Sequence, residues 1–222
     1  MKQLPLPIAF EESPRLSDFV LGANAEVLHG LRDLAWPGPP VYLWGPAGVG
    51  KTYLLSALVN EVQLAGGRAA WFDARQGLPW EVSPGLALIV LDGAERLDPD
   101  HQHAAFTLFI EAAAHGVQMV SAGRMPPVDL PVREDLRTRL GWGPVYAVHP
   151  LSEAQMRQVL QRDALRQGLS LPTELLDHLF THHARDLASL QALVRRLERF
   201  SLAEGRAMTV PLLRRMLAEE GP

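Results

Sequence analysis

Three observations predict an α/β fold: a parallel sheet sandwiched by helices, with an all-helical domain after it. Strand-like and helix-like segments alternate from Leu16 to Pro150. Leu86 to Leu91 is a continuous apolar run, the pattern of a strand buried on both faces of a parallel sheet. Beyond Pro150 the strand pattern stops and only helical periodicities remain.

The elements follow in order. Residues 1–14 are Pro-rich and aperiodic, an extended tail. A helix is expected near Asn24–Leu34, closed by the Trp-Pro-Gly-Pro-Pro break at 36–40. Val41-Tyr42-Leu43-Trp44 is a short apolar strand, and a helix runs from Thr52 to Leu64. Gly66-Gly67 turns the chain into a second strand, Ala69 to Phe72. The apolar run from Leu86 ends in Asp92, a helix covers His101–Ala114, and strands follow at Val117–Ser121 and Val145–Val148. In the last third, Ser152 and Gln155 form a capping box. Helices are expected at Glu153–Gln167, Pro172–His182, Asp186–Ser201 and Pro211–Glu219, separated by Gly168, Ala184-Arg185 and Gly205.

The chemistry is concentrated between the first strand and the helix after it. Gly45, Pro46, Ala47, Gly48, Val49, Gly50, Lys51 and Thr52 complete a G-x-x-x-x-G-K-[ST] phosphate loop. Its glycines allow backbone N–H groups to point inward at phosphate oxygens, with the helix N-terminus behind them. Lys51 is placed for the β- and γ-phosphates, and the Thr52 hydroxyl for Mg²⁺. Lys2 and Lys51 are the only lysines, so an Arg-using chain keeps a slender point charge at this position. Asp92 supplies the second Mg²⁺ ligand, through water. Together these predict binding of a nucleoside triphosphate or its diphosphate with Mg²⁺, over a nucleotide-binding domain at 15–149 and a helical lid at 150–222. Gly93 stands where many related ATPases carry a water-activating Glu, so intrinsic hydrolysis is expected to be slow. Glu95 is read as opening the next helix. Ser121 and Arg124, flanking Gly123 at the end of the fourth strand, are candidate γ-phosphate sensors. His101, His103, His182 and His183 lack the acidic or Cys company of a metal site and read as surface residues.

Composition sets the limits. The 222 residues are 47% hydrophobic, enough for a real core. There is no Cys, so disulfides and thiolate metal sites are excluded and a reducing cytoplasm is expected. No signal peptide is legible, and no run approaches the roughly 20 apolar residues of a membrane span. Residues 1–149 hold 11 Lys+Arg against 16 Asp+Glu, and residues 150–222 hold 10 against 9. Neither part reads as a dedicated nucleic-acid surface, and any DNA contact, for example by Arg195, Arg196, Arg199, Arg214 or Arg215, is expected to be weak or indirect.

These pieces resemble the DnaA/Hda family of AAA+ proteins, and within it the short Hda branch, nearly end to end. Asp18-Phe19-Val20-Leu21-Gly22-Ala23-Asn24 is similar to the family's F-V-x-G-x-N box beside the adenine, which implies Phe19, Val20, Gly22 and Asn24 as nucleotide contacts. Asp92-Gly93-Ala94-Glu95 is similar to the D-N-I-E Walker B of the Hda branch. Arg137-Thr138-Arg139-Leu140-Gly141-Trp142-Gly143 resembles box VII, which implies Arg139 as an arginine finger acting on a neighbour's nucleotide. Gln3-Leu4-Pro5-Leu6-Pro7 is similar to the Q-L-x-L-P peptide that binds the sliding clamp, the β subunit of DNA polymerase III. Such a Pro-stiffened segment loses little entropy on docking.

Three departures favour the Hda branch over the initiator. The helix-turn-helix that follows the initiator's lid is not expected after Pro222. The stretch from Phe72 to Leu86 is too brief for the initiator's single-strand-binding helices. The sensor II arginine falls on Ala188, with Arg185 nearly one turn earlier as its substitute. The resemblance implies a clamp-anchored, possible homodimeric regulator that stimulates hydrolysis of DnaA-bound ATP and limits re-initiation. The competing expectations are a helicase-loader or clamp-loader type ATPase, and a DnaA paralogue acting in initiation.

Overall fold

The computed structural model describes residues 13–183 and 186–220. The clamp-type peptide at 3–7 and the lid residue Arg185 lie outside the described residues. The elements are α1 (Ala25–Arg32), β1 (Val41–Trp44), α2 (Lys51–Leu64), β2 (Arg68–Asp73), β3 (Leu86–Asp92), α3 (Pro99–His115), β4 (Gln118–Gly123), α4 (Glu134–Leu140), β5 (Val145–Ala147), α5 (Glu153–Arg166), α6 (Thr173–His182), α7 (Leu187–Glu204) and α8 (Val210–Glu220). They fall into two compact units. One holds 13–19, Leu28–Trp44 and Lys51–Ala147; the other holds Val20–Val27, Gly45–Gly50 and the described residues from Val148 onward.

In the first unit the five strands form a parallel sheet in the order β2-β3-β4-β1-β5. β3 lies between β2 and β4, so both its backbone edges are paired, and Leu88, Ile89, Val90 and Leu91 are fully buried. That is why it reads as an unbroken apolar run: each face needs a cover. Ile89 and Leu91 join a core with Leu108 and Phe109 of α3 and Leu136 and Leu140 of α4. Alternate residues point the other way, where α2 lies across β2, β3 and β4. β4 is inserted between β1 and β3, so the strand before the phosphate loop and the strand carrying Asp92 are not neighbours. Gln118 is a buried polar residue on β4, and both ends of its amide are satisfied. Its Oε1 accepts from Gly38 N at 2.7 Å and its Nε2 donates to Pro39 O at 3.0 Å, tying down the Pro-rich break before β1.

Two departures from the expected pattern have a local cause. α3 begins two residues early, because Asp98 caps it: its Oδ1 accepts from Asp100 N and His101 N at 3.0 and 2.9 Å, with Pro99 in the first turn. α4 is a helix that strand–helix alternation does not predict. It is short, and its side chains Leu136 and Leu140 are what fix it to the core.

The second unit has its own apolar core, built from α5 to α8 around Leu175, Leu179, Leu197, Leu213 and Met216. The capping box forms as expected, with Ser152 N donating to Gln155 Oε1 at 2.9 Å and Gln155 N to Ser152 Oγ at 3.3 Å. Asp186 caps α7 by accepting from Ser189 N at 2.9 Å. On the surface Arg215 pairs with Glu219 at 2.7 Å and Glu204 at 2.9 Å, and Arg196 with Glu220 at 3.6 Å. These cations are partly matched by carboxylates of their own unit. Among the described residues no helix is long and apolar enough to cross a membrane.

Candidate functional site

In the first unit, α2 opens with Lys51 and Thr52, and β3 closes with Asp92. The Thr52 hydroxyl donates to Asp92 Oδ2 at 2.9 Å. Asp92 is buried, at 8% exposure, and in register with Ala122 of β4. A hydroxyl and a carboxylate held together in this way are a hard-oxygen pair suited to Mg²⁺. Burial holds the Lys51 ammonium below its ordinary pKa; Glu95 and Asp92 oppose that, while Arg124 and Arg96 add to it. An anion brought to Lys51 would relieve this stress.

Glu95 does not open α3. It lies in a 3₁₀ turn at Ala94–Arg96, ahead of the Asp98 cap, and its side chain is only 11% exposed. Its Oε2 accepts from Arg124 N at 3.2 Å, and its Oε1 lies 3.4 Å from Arg124 Nε and 3.6 Å from Arg96 Nη1. Of the two candidate sensors, Ser121 is buried in β4 with no hydrogen-bond partner, whereas Arg124 is largely exposed beside Glu95. Position 123 has no room for a side chain, because the Tyr42 hydroxyl fills that space and donates to Met125 O at 3.2 Å. Burial, reinforced by Glu95, pushes the Tyr42 phenol far above its ordinary pKa, so it stays protonated. No sequence signal announces Tyr42: β1 looks like any apolar strand.

The Gly45–Gly50 loop belongs to the second unit. Gly48 has φ 78°, and a Cβ there would lie 2.9 Å from Asp186 Cβ. Backbone conformation and space both require glycine at this position. The box at 19–24 divides. The Phe19 ring lies 5.9 Å from that of Tyr53 in the first unit. In the second, Asn24 is wholly buried and clasps the backbone of His149, donating to its carbonyl at 3.1 Å and accepting from its N–H at 2.7 Å. Both polar ends of the Asn24 side chain are thus engaged within the protein. Gly22 lies against the Gln155 amide, with Val20 half-buried nearby in sequence.

Box VII ends α4. Arg137 turns inward, donating from Nη2 to Val132 O at 2.8 Å, with its Nε buried. Arg139 is half-exposed, and its guanidinium lies 5.0 Å from the centre of the Trp142 ring, which is 67% exposed. Among the described residues no carboxylate pairs with Arg139. Of the histidines, His101 pairs with Asp98, and His103 Nδ1 lies 3.2 Å from Arg133 Nη1. The His178 and His182 ring centres lie 4.4 Å apart with the planes tilted by 46°, and burial first and neighbouring His182, Arg214 and His183 next hold His178 below its ordinary pKa. Among the described residues no group of three His, Cys, Asp or Glu is arranged to hold a metal ion.

Comparison with known proteins follows from this geometry. Residues 153–217 match the family model described as Hda, lid domain. A protein of Haemophilus influenzae, itself uncharacterized, is 32% identical over 235 residues, spanning 97% of this chain and 98% of that protein. Among solved structures, domain III of the Thermotoga maritima replication initiation protein DnaA has a TM-score of 0.76 at 18% identity, covering 94% of this chain and 97% of that one. AMPPCP-bound DnaA from Aquifex aeolicus has a TM-score of 0.65 at 20% identity, covering 84% of this chain and 65% of that one.

Proposed function

Because the chain belongs to the Hda family of DnaA-homologous AAA+ proteins, we propose that it is a replication regulator that lends Arg139 to ATP bound by DnaA. Hydrolysis there switches the initiator off and limits re-initiation. The observation that carries this reading is the contrast on α4: Arg137 is tied inward, while Arg139 stands half-exposed without a carboxylate and against an exposed indole. A guanidinium so presented can stabilise charge developing on a phosphoryl group held by a partner.

In this proposal the chain holds its own adenine nucleotide through the Gly45–Gly50 loop and Lys51, with Phe19, Val20, Gly22 and Arg185 as further contacts. The donor chemistry fits Mg²⁺: Thr52 and Asp92 would hold it, and it would neutralise phosphate charge. Slow intrinsic turnover follows from Gly93, which offers no side chain to orient water. The 3–7 peptide, by its sequence, tethers the chain to the DNA polymerase III sliding clamp. The partners are then DnaA and the clamp, with DNA contacted indirectly.

The test is phosphate release from ATP-loaded DnaA with clamp on DNA and the full chain added. Stimulation by wild type and its loss in Arg139→Ala, with fold and nucleotide binding intact, is expected. Undiminished stimulation by Arg139→Ala would remove the finger. A clamp- or helicase-loader role would instead require turnover by the isolated protein at roughly 1–10³ s⁻¹, the usual range for enzymes.

A further inference from the structure

The residue after Asp92 is Gly93, in the left-handed region at φ 75° and ψ 52°. A side chain there would collide with the guanidinium of Arg96, which folds back over Gly93. The turn that allows this is closed by Arg96 N donating to Gly93 O at 2.9 Å. Position 93 is where a water-activating carboxylate would stand, and a cation fills that space.

The cation is not a free surface arginine. Glu95, nearly buried, lies between Arg96 and Arg124 at 3.6 and 3.4 Å and restrains both guanidinium groups. All three residues are close enough to Lys51 to act on its charge, as is Asp92. Lys51 therefore has the guanidinium groups of Arg96 and Arg124 near it as well as the carboxylates of Asp92 and Glu95.

We propose that Arg96 is a second phosphate-binding cation, occupying the place of the absent carboxylate so that the site grips a terminal phosphate without supplying a base. The proposal rests on the nucleotide-binding reading above. A guanidinium offers several N–H donors to phosphate oxygens and remains charged at any pH the protein meets. It cannot accept a proton from water. One substitution of space thus converts a hydrolytic position into a holding one, and it bears on the triphosphate more than on the diphosphate. Glu95 becomes a positioning residue, keeping the half-exposed Arg96 side chain over Gly93 rather than in solvent.

The experiment is calorimetric titration of the full chain with ATP, with a non-hydrolysable ATP analogue and with ADP. Loss of one charged hydrogen bond predicts that Arg96→Ala weakens ATP and the analogue about tenfold and ADP less than twofold. Arg96→Gln, which keeps bulk and removes charge, should behave alike. Unchanged apo melting would exclude a folding defect. Lys51→Ala is the separate check on the site itself: if it still binds nucleotide, the underlying reading fails. If Lys51→Ala abolishes binding while Arg96→Ala leaves the ATP-to-ADP affinity ratio as in wild type, the Arg96 proposal is overturned. An equal loss for both nucleotides would overturn it too.

Discussion

At the C-terminal ends of β3 and β4 the arginines are paired with a carboxylate, whereas on α4 Arg139 has no carboxylate partner among the described residues. Arg96 and Arg124 share the carboxylate of Glu95 beside Lys51. Among the described residues the Arg139 guanidinium has the Trp142 ring beside it, and its neighbour Arg137 is bound to the backbone at Val132. The difference teaches how a cation's company bears on its use. A guanidinium fixed by an internal carboxylate suits a ligand the chain holds itself. One supported by an indole keeps all its donors available to a partner, because the ring face offers charge stabilisation without consuming N–H groups.

The largest expected effect tests the open end of this comparison. Arg139→Lys keeps the charge but loses the planar fork, so stimulated hydrolysis by DnaA should fall nearly as far as in Arg139→Ala. Fingers supplied by a partner contribute about 10³–10⁵ in rate. Phosphate release under single-turnover conditions measures it. A lysine variant with near wild-type stimulation would show that Arg139 acts only as a point charge, and the contrast between fixed and offered guanidinium groups would lose its meaning.

Arg137→Ala should do the reverse. Removing the bond to Val132 O and the partly buried stem should lower stability by about 1–2 kcal/mol, while each folded molecule stimulates DnaA normally. Urea unfolding against specific stimulation separates the two. A stable but inactive Arg137→Ala would mean that the two arginines have been assigned the wrong way round.

The fold was legible in the sequence, and so were those residues proposed for the candidate site that lie close together along the chain. Val41–Trp44 emerges with the expected bounds, and Asp92 does end the buried strand, because burial on two faces writes itself as an apolar run. The phosphate loop is legible because its spacing is local. What escaped is what depends on distant side chains meeting. Tyr42 fills the space at Gly123 from a different strand, and Asp186 backs Gly48 from far along the chain. Arg96 is near in sequence, yet its fold-back over Gly93 depends on a left-handed turn that the letters do not fix. Asn24 has a structural role that the letters do not announce. Family likeness placed it at the nucleotide, while its amide is engaged on the His149 backbone 125 residues away. A substitution such as Asn24→Leu would leave that N–H and carbonyl unpaired in a partly buried setting.

A smaller effect is expected at Trp142. Stacking of this kind is worth about 0.5–1 kcal/mol at an exposed site, so Trp142→Ala should lower the maximal stimulated rate roughly threefold to fivefold, with Trp142→Phe restoring most of it. If Trp142 instead serves as a docking residue, the concentration of this chain needed for half-maximal stimulation would rise while the maximal rate held. A rate-against-concentration curve for the three proteins distinguishes positioning from docking.

The smallest effect concerns a cation that, unlike these arginines, can lose its charge. His101 Nδ1 lies 2.8 Å from Asp98 Oδ2 and its Nε2 lies 3.0 Å from Gln76 O. A carboxylate at ion-pairing distance from one ring nitrogen and a carbonyl at hydrogen-bond distance from the other both favour the imidazolium. The Gln76 carbonyl first and Asp98 next therefore hold His101 above its ordinary pKa, and His101 holds Asp98 below its own. A raised histidine stabilises fully below its unfolded pKa, and the contribution is lost as pH rises through the folded value. The depressed aspartate acts oppositely: its contribution is lost as pH falls through its folded value. The pair is at full strength between Asp98's ordinary pKa and that of His101, roughly pH 4 to 6.5 by the reference values. Melting temperatures of wild type and His101→Gln should differ most near the middle of that window and converge as pH rises through the raised folded value of His101. A gap that widened with rising pH would mean that His101 is neutral in the folded protein.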